Sequence, residues 1–581
     1  MIAISQTQFS NANANTPGQQ LIIALWCELF NMDTIDSYRV RLMNASSILA
    51  ELYQAISDRV SDDISLNNIL FICREAERII STDGICSKYF PNQKNYLIHI
   101  LKEVHKTKKD DDLVNLTFKI KTLSSHLVTH YKRLLTSELK NSIDSNDLIS
   151  IQYFTKALGS ELVYNGFSFE YLYFLKKVFL NDQHNKSFND RWSEFVDLVL
   201  ADKNIYDIHF KFSGKNTLSQ YNTIFDISIS ENFYKNSTTP MEDDFIDQPW
   251  EYFGTIRNLK SYDSKSAISD AIKKIDMLRN ISRYEFRKAD FSISQYFLVV
   301  DVRSNISEYI SSYLRPVGFV QNGTKWRFEN YITNVNNSLS TSNLDDYSKE
   351  RISNSFKYFR MSLDAEESEI RFILCWIALE FLLKTGSHSS IISRILYFLP
   401  KVISSQYFKK ILVDFSANIS RLNIPASITN TYFNKDEHNQ FEIKSIYEFL
   451  KDSTKVNAFI SNIQNELLKI RINELANQFS SNEQLSQRFH RHIEDLEWNI
   501  QRIYRVRNKL VHSAESKINI RQLESHLTYY FTTLFNNIIY IASNTSQQTT
   551  IENILNGIDA KNDFLINQIK SGNTTYELLF E

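Results

Sequence analysis

The sequence predicts a mainly α-helical protein in which a small α+β region separates two helical parts. The 581 residues include only 11 Gly and 7 Pro, and since these residues punctuate turns, their scarcity favours long helices with few connections. Apolar residues recur at helical spacing over most of the chain, and alternate with polar residues only between about 206 and 335. Because a chain of this length exceeds what one hydrophobic core can organise, we expect several domains.

Residues 1–205 are expected to form an N-terminal helical domain. Apolar residues follow helical spacing in the segments 21–30, 38–56, 65–80, 95–105, 113–135, 153–162, 169–180 and 188–200. None of these segments carries a motif that points to a reaction, so a sensory or regulatory role is the expectation. The four cysteines, Cys27, Cys73, Cys86 and Cys375, lack CxxC spacing and are expected to be small buried side chains in a reducing cytosol.

Residues 206–335 are expected to form a small α+β domain. Strands are predicted at 206–213 and 225–229 from their alternation, and at 296–302 from a continuous apolar run suited to the centre of a sheet. An amphipathic helix is predicted at 264–280. The pair Asn322-Gly323 predicts a tight hairpin turn between two further strands, because both positions of that turn require positive φ.

Residues 336–348 are predicted to be a polar linker, and 349–581 an all-helical domain. Asp364 is expected to cap a central helix that is apolar on nearly all sides and stops at Gly386. A short helix at 391–399 is expected to stop at Pro400, and 423–442 is expected to be irregular. Further helices are predicted at 443–450, 455–479, 486–512 and 521–543, with a loosely packed one at 551–569.

Charge and hydropathy restrict the classes of function. The formal net charge is -2, so a nucleic-acid site would have to be a local basic patch. The N-terminus has no basic start followed by an apolar stretch, and the longest apolar runs are too short for a bilayer. We therefore expect a soluble cytoplasmic protein without a membrane partner. No nucleotide-hydrolase, zinc-protease or serine-hydrolase motif occurs, so no cofactor and no metal are predicted.

The candidate catalytic residues are Arg507, Asn508 and His512, in the last turns of the helix predicted at 486–512. RNA is cut without a metal when its 2′-OH attacks the adjacent phosphate, a step that requires a base, an acid and a cation beside the phosphorane. Histidine titrates near neutral pH and suits proton transfer, while a guanidinium binds phosphate oxygens in pairs. Asn508 is expected to orient His512 or to bind a phosphate oxygen.

The residues around this group resemble the HEPN superfamily of all-helical ribonucleases, whose signature is Arg, a polar residue, three further residues and His. Three sequence segments resemble the ApeA-like HEPN branch of anti-phage systems: IALEFLLKTG (377–386), SRILYFL (393–399) and IYRVRNKLVHSAE (503–515). The resemblance covers about 350–545. It implies an endoribonuclease of a defence, abortive-infection or toxin type, acting as a homodimer with two motifs facing each other. A phage-derived trigger or a partner protein is a further expectation.

Other residues of this helix are assigned supporting roles. Arg502, Arg505 and Lys509, with Arg488 and Arg491 further up, are expected to supply the local basic surface for RNA. Glu380 is the only carboxylate in its apolar run, and a buried acid needs a partner. An arginine of the motif helix is one candidate for that partner, and a local or snorkelled arrangement is the other.

Two alternatives to an active nuclease stay open. Arg507 and His512 are also residue types that the helix dipole favours in a last turn, so they could have a purely structural role. A catalytically inactive HEPN module that binds RNA or a partner protein would keep the same fold and the same surroundings.

Overall fold

The computed structural model describes residues 4–31, 43–60, 66–104, 110–181, 186–213, 223–233, 240–246, 250–286, 292–312, 325–341, 344–365, 367–384, 390–422, 424–436, 440–512 and 520–580. Helices dominate this part of the chain, and one small sheet lies in its middle, which confirms the predicted fold class. Within these ranges, no helix combines the length and the apolar character that crossing a bilayer requires.

The N-terminal region is helical, as predicted. Its helices are α1 (Gln6–Asn11), α2 (Pro17–Leu29), α3 (Ala45–Val60), α4 (Leu66–Thr82), α5 (Gly84–Tyr89), α6 (Pro91–Val104), α7 (Asp110–Asp144), α8 (Leu148–Asn165), α9 (Phe169–Phe174), α10 (Lys176–Leu180) and α11 (Phe188–Leu200). Several begin with a side-chain cap. Thr16, for example, accepts a hydrogen bond from the backbone N–H of Gln19, whose side chain returns to the cap.

The sheet is antiparallel and its strands lie in the order β2-β3-β4-β1-β5-β6. The strands are β1 (Asn204–Ser213), β2 (Thr223–Ile224), β3 (Ile227–Ser230), β4 (Tyr252–Ser261), β5 (Ser292–Asp301) and β6 (Ile306–Ser311), with helices α12 (Pro240–Ile246) and α13 (Ser264–Phe286) between them. The predicted strands at 206–213 and 296–302 correspond to β1 and β5. Phe225 and Asp226 form the turn between β2 and β3, with φ of 53° and 61°, so the segment predicted as a strand at 225–229 consists of this turn and most of β3.

Gly254 in β4 lies directly opposite Phe210 in β1. A Cβ atom at this position would come within 2.2 Å of the Phe210 ring, and that ring is fully buried. The two strands can therefore approach each other here only because residue 254 has no side chain.

The end of the predicted α+β domain differs from the expectation. Lys325–Asn336 is a helix, α14, where the sequence predicts the second strand of a hairpin, and Asn322-Gly323 lies outside the described residues. A π-helix, Asn337–Thr341, follows. The segment predicted as a polar linker packs closely, because Ser338 and Leu344 are buried. The Ser338 hydroxyl donates to the carbonyl oxygen of Ile539 at 2.9 Å.

The C-terminal region is helical to its end. Its helices are α15 (Asp346–Asp364), α16 (Ser368–Leu383), α17 (Ile391–Ser404), α18 (Tyr407–Arg421), α19 (Ala426–Tyr432), α20 (Ile443–Lys451), α21 (Ser453–Ser461), α22 (Glu466–Phe479), α23 (Asn482–His512), α24 (Ile520–Asn544), α25 (Ile551–Ser571) and α26 (Tyr576–Phe580). The central helix, α16, starts at Glu367 as its N-cap, whereas Asp364 ends the preceding helix. Pro400 lies inside α17 and does not stop it.

The three largest of the four hydrophobic cores among the described residues divide the chain differently from the predicted domains. The first core joins the N-terminal helices to residues 407–489 and 565–580. The second is built from residues 344–403 and 496–558, and the third lies between the sheet and α13. Helix α23 contributes Leu485 and Phe489 to the first core and Ile500 and Ile503 to the second. This helix therefore ties the N-terminal region to the bundle that contains the candidate catalytic residues.

Candidate functional site

The candidate catalytic residues occupy the last turns of α23, which is continuous over 31 residues. Arg507 and Asn508 lie on the helix one turn before its end, and His512 is its last residue. Positions 508 and 512 are one turn apart, so the backbone places them on the same side of the helix. The side chain of His512 lies outside the described part of the structure.

Arg507 faces the central helix α16. One of its terminal nitrogens lies 3.7 Å from Oε1 of Glu380, and both side chains are 24% exposed. The same carboxylate oxygen accepts a hydrogen bond from Nε1 of Trp376 at 2.6 Å. Both partners that were considered for Glu380, an arginine of the motif helix and a local side chain, are therefore present. The indole fixes the carboxylate, and the carboxylate holds the guanidinium near it.

The guanidinium of Arg507 retains hydrogen-bonding capacity in this position. Its distance to Glu380 is that of an ion pair without a short hydrogen bond. One terminal nitrogen donates to Oδ1 of Asn508 at 3.1 Å, and the buried Nε has no hydrogen-bond partner among the described residues. Asn508 accepts this bond with its side-chain oxygen. Its amide NH₂ group can therefore donate to another group. A planar guanidinium with donors left over suits an anionic oxygen.

Arg502 and Arg505 do not form a basic surface, which corrects the prediction made from the sequence. Their side chains are 9% exposed and bind carboxylates of the N-terminal region, Glu51 in α3 and Glu75 in α4. Arg502 donates from Nε to Glu51 at 2.9 Å and from a terminal nitrogen to Glu75 at 2.7 Å. Arg505 also donates to Glu51. We call these four side chains the buried ion cluster.

The environment sets the ionisation of the buried ion cluster. Burial raises the pKa of Glu51, but the charges of Arg502 and Arg505 outweigh burial and hold this pKa below its ordinary value. The pKa of Glu75 is raised, first by burial and also by the neighbouring charge of Glu51, although Arg502 opposes this. Burial lowers the pKa of Arg505, while the two carboxylates overcome burial and raise the pKa of Arg502. Glu51 is therefore the carboxylate on which the pairing depends.

Lys509 is likewise occupied by the N-terminal region. Its ammonium group lies 3.2 Å from Asp58 of α3, and the two side chains are 18% and 20% exposed. Glu51 and Asp58 are seven positions apart on α3 and so lie on one side of it. The basic side of the motif helix is consequently covered by α3 and α4, and these acidic residues were not identified from the sequence.

Partly exposed side chains mark the side of the motif helix that α3 and α4 leave open. Val511 is 48% exposed, and Asn508 and Lys509 are partly exposed. On the inner side, the ring of Tyr504 packs against Trp376, with ring centroids 5.8 Å apart. In the ranges that the structure describes, no three His, Cys, Asp or Glu side chains converge as metal ligands would.

Comparison of the chain with protein-family models, with curated proteins and with solved structures found no match in any of the three.

Proposed function

We propose that this protein is an endoribonuclease of the HEPN type that needs no metal ion and acts in anti-phage defence or as a toxin. The observation that carries the proposal is the placement of Arg507. It is held beside Glu380 and Trp376, keeps free donor capacity, and lies on the same continuous helix as Asn508 and His512. The all-helical surroundings of this helix agree with the family that the sequence resembles.

The proposed roles follow from the chemistry of each group. His512 takes the proton of the attacking 2′-OH or supplies one to the leaving 5′-oxygen. Arg507 neutralises the charge that develops on the phosphorane, because its guanidinium is permanently charged and offers paired donors. The amide of Asn508 binds a phosphate oxygen or orients the imidazole. Glu380 and Trp376 are positioning residues, since Glu380 pairs with Arg507 and Trp376 donates a hydrogen bond to Glu380.

A homodimer completes the proposed site. One histidine cannot readily act as base and acid in the same step, whereas two copies of the motif across a two-fold axis supply both groups. Adding an excess of His512→Ala protein to the wild-type protein, with subunit exchange, should then lower cleavage beyond simple dilution, because each mixed dimer holds only one His512. Sedimentation of the wild-type chain as a monomer under conditions where it cleaves RNA would remove the dimer from the proposal.

A second candidate function is RNA or protein binding without cleavage. The observation that favours it is the contact between Arg507 and Glu380, because a partly buried arginine paired with an acid is also a structural element. This function predicts salt-sensitive binding that persists in the His512→Ala variant.

Cleavage of RNA in the presence of EDTA tests the two functions against each other. We expect products that end in 2′,3′-cyclic phosphates, and a substrate with a 2′-deoxynucleotide at the cut site should resist. His512→Ala and Arg507→Ala should each slow cleavage by about a hundredfold or more. Arg360→Ala is a matched control, because Arg360 is 64% exposed and, in the described part of the chain, forms its ion pair with Asp364 on the same helix.

Three results would contradict the nuclease. They are unchanged cleavage by His512→Ala, equal cleavage of DNA, and products without cyclic phosphate ends. If RNA is bound but not cut under any condition, the second candidate function is the correct one.

A further inference from the structure

A cavity of about 610 Å³ lies between the N-terminal helices and the C-terminal bundle. Its walls come from α4, α8, α17, α18, α22, α23 and α24. This volume is within the range of small-molecule sites. A partly open space between seven helices suits a compact ligand better than a long polymer. The cavity is separate from the open side of the motif helix where Arg507 lies.

Positive charge prevails in the lining of the cavity. Seven arginine or lysine residues and four carboxylates line it. Arg488 and Arg491 lie one turn apart on α23, and neither makes an ion pair with another described residue. Burial raises the pKa of Asp495, which reaches the same space, although Arg78, Arg488 and Arg491 oppose this. Two guanidinium groups that have no carboxylate within ion-pair distance among the described residues, and interact with Asp495 at longer range, suit a doubly or multiply charged anion.

The residues around this region also carry polar atoms that the protein's own contacts leave unused. Nε of Arg488, Nε of Arg471 and Oε1 of Gln478 are buried atoms without a hydrogen-bond partner among the described residues, and all three residues line the cavity. Since buried polar atoms are rarely left unsatisfied, the walls of this space are unusually polar.

Aromatic side chains line the same cavity. The ring of Tyr407 stacks on His492 with centroids 3.9 Å apart, and Arg488 lies over that ring at 5.5 Å. Trp498 has the guanidinium of Arg78 at 4.9 Å from its ring. Such aromatic and guanidinium planes are the surfaces on which nucleobases stack.

We infer that this cavity is a binding site for a nucleoside polyphosphate, with Arg488 and Arg491 holding the phosphates and the aromatic side chains holding the base. The cavity also touches the buried ion cluster, because Glu75 and Arg502 form part of its wall. A nucleotide in the cavity therefore contacts the same arginine that joins the N-terminal helices to the motif helix. Nucleotide binding can therefore change the contact between the N-terminal helices and the motif helix, which carries the candidate catalytic residues.

Calorimetric titration of the full-length protein with ATP, GTP, CTP and UTP tests the site without depending on RNA cleavage. We expect one nucleotide to bind per chain, and expect adenosine or guanosine alone and inorganic tripolyphosphate to bind at least about tenfold more weakly. Arg488→Ala with Arg491→Ala should lower the affinity by about a hundredfold. Arg303→Ala with Arg360→Ala removes the same charge at exposed positions and should leave the affinity unchanged.

The proposal is overturned if no nucleotide binds at millimolar concentration, or if the two double variants bind equally well. Equal affinity for tripolyphosphate and for the best nucleotide would also overturn it, because the aromatic side chains would then recognise nothing. Circular dichroism and thermal unfolding check that the cavity variant is folded. The single variant Arg491→Ala, at an exposed position, repeats the test with less risk to folding. Loss of nuclease activity in the assays above would leave this result unaffected.

Discussion

Replacing Glu51 by Gln should detach the N-terminal helices from the motif helix, whereas the same change at Glu75 should have a much smaller effect. Glu51 bonds both Arg502 and Arg505, while Glu75 bonds Arg502 alone. In Glu51→Gln, Arg505 loses the only carboxylate within hydrogen-bond distance of it among the described residues, and it remains buried as a charge. In Glu75→Gln, Arg502 keeps Glu51, and the new amide oxygen can still accept its hydrogen bond.

The expected magnitudes follow from burial. Removing one partner of a buried ion pair costs about 3–5 kcal/mol, and the side chains concerned are 9% exposed. For Glu75 the expected cost is about 1 kcal/mol, the scale of one weakened hydrogen bond. The directions of the two pKa shifts agree with these expected costs. A lowered pKa means that ionised Glu51 stabilises the fold above its ordinary pKa and loses this as pH falls through the folded pKa, whereas the raised pKa of Glu75 means that folding favours its neutral form.

Hydrogen exchange measured on peptides from α3, α4 and α23 is a suitable assay, because a chain with several cores does not unfold in a single step. A loss of 3–5 kcal/mol in the free energy of local opening corresponds to roughly a hundred- to several-thousand-fold faster exchange of slow amides. Glu75→Gln should accelerate exchange about fivefold. Glu494→Gln is the control, since Glu494 pairs with Arg78 at a 58% exposed position and such pairs contribute little.

Equal acceleration by Glu51→Gln and Glu75→Gln would refute the reasoning, because it would mean that the number of arginine partners does not set the cost. Exchange in Glu51→Gln no faster than in the Glu494→Gln control would show that the buried ion cluster does not hold the two parts together.

Three further predictions concern the candidate site and the sheet. Glu380→Gln keeps a hydrogen-bond acceptor for Trp376 but removes the charge beside Arg507, so single-turnover RNA cleavage should slow by about ten- to a hundredfold with an unchanged melting temperature; a normal rate would contradict the positioning role. Burial lowers the pKa of His209 to about 4 from an ordinary value of 6.5, so the unfolded chain takes up the proton first and stability falls as pH drops from about 6.5 to 4. In a pH series of thermal unfolding, His209→Gln should lose less stability over that window than the wild type. Gly254→Ala places a methyl group against the buried ring of Phe210 and should cost about 1–3 kcal/mol, measured as faster exchange in β1 and β4; exchange at the wild-type rate would mean that the strands can separate at no cost.

Much of the fold follows from patterns that are local in the chain. Helical spacing of apolar residues predicts the helices of both terminal parts, and alternation predicts β1 and β5. The need of a buried acid for a partner offers an arginine of the motif helix or a local arrangement for Glu380, and the structure contains contacts of both kinds. Local rules fail where tertiary packing overrides them. Pro400 is accommodated inside α17, and the residues after the Asn322-Gly323 pair continue as helix α14.

The sequence by itself determined that α23 is an amphipathic helix with a concentration of cations near its end. Only the tertiary structure decided what those cations do. Arg502 and Arg507 are the same residue type on one helix, but Arg502 meets Glu51, 451 positions earlier in the chain, whereas Arg507 meets Glu380 and stays partly exposed. Helical spacing fixes the side of the helix on which an arginine lies, and it carries no information about which distant carboxylate covers that side.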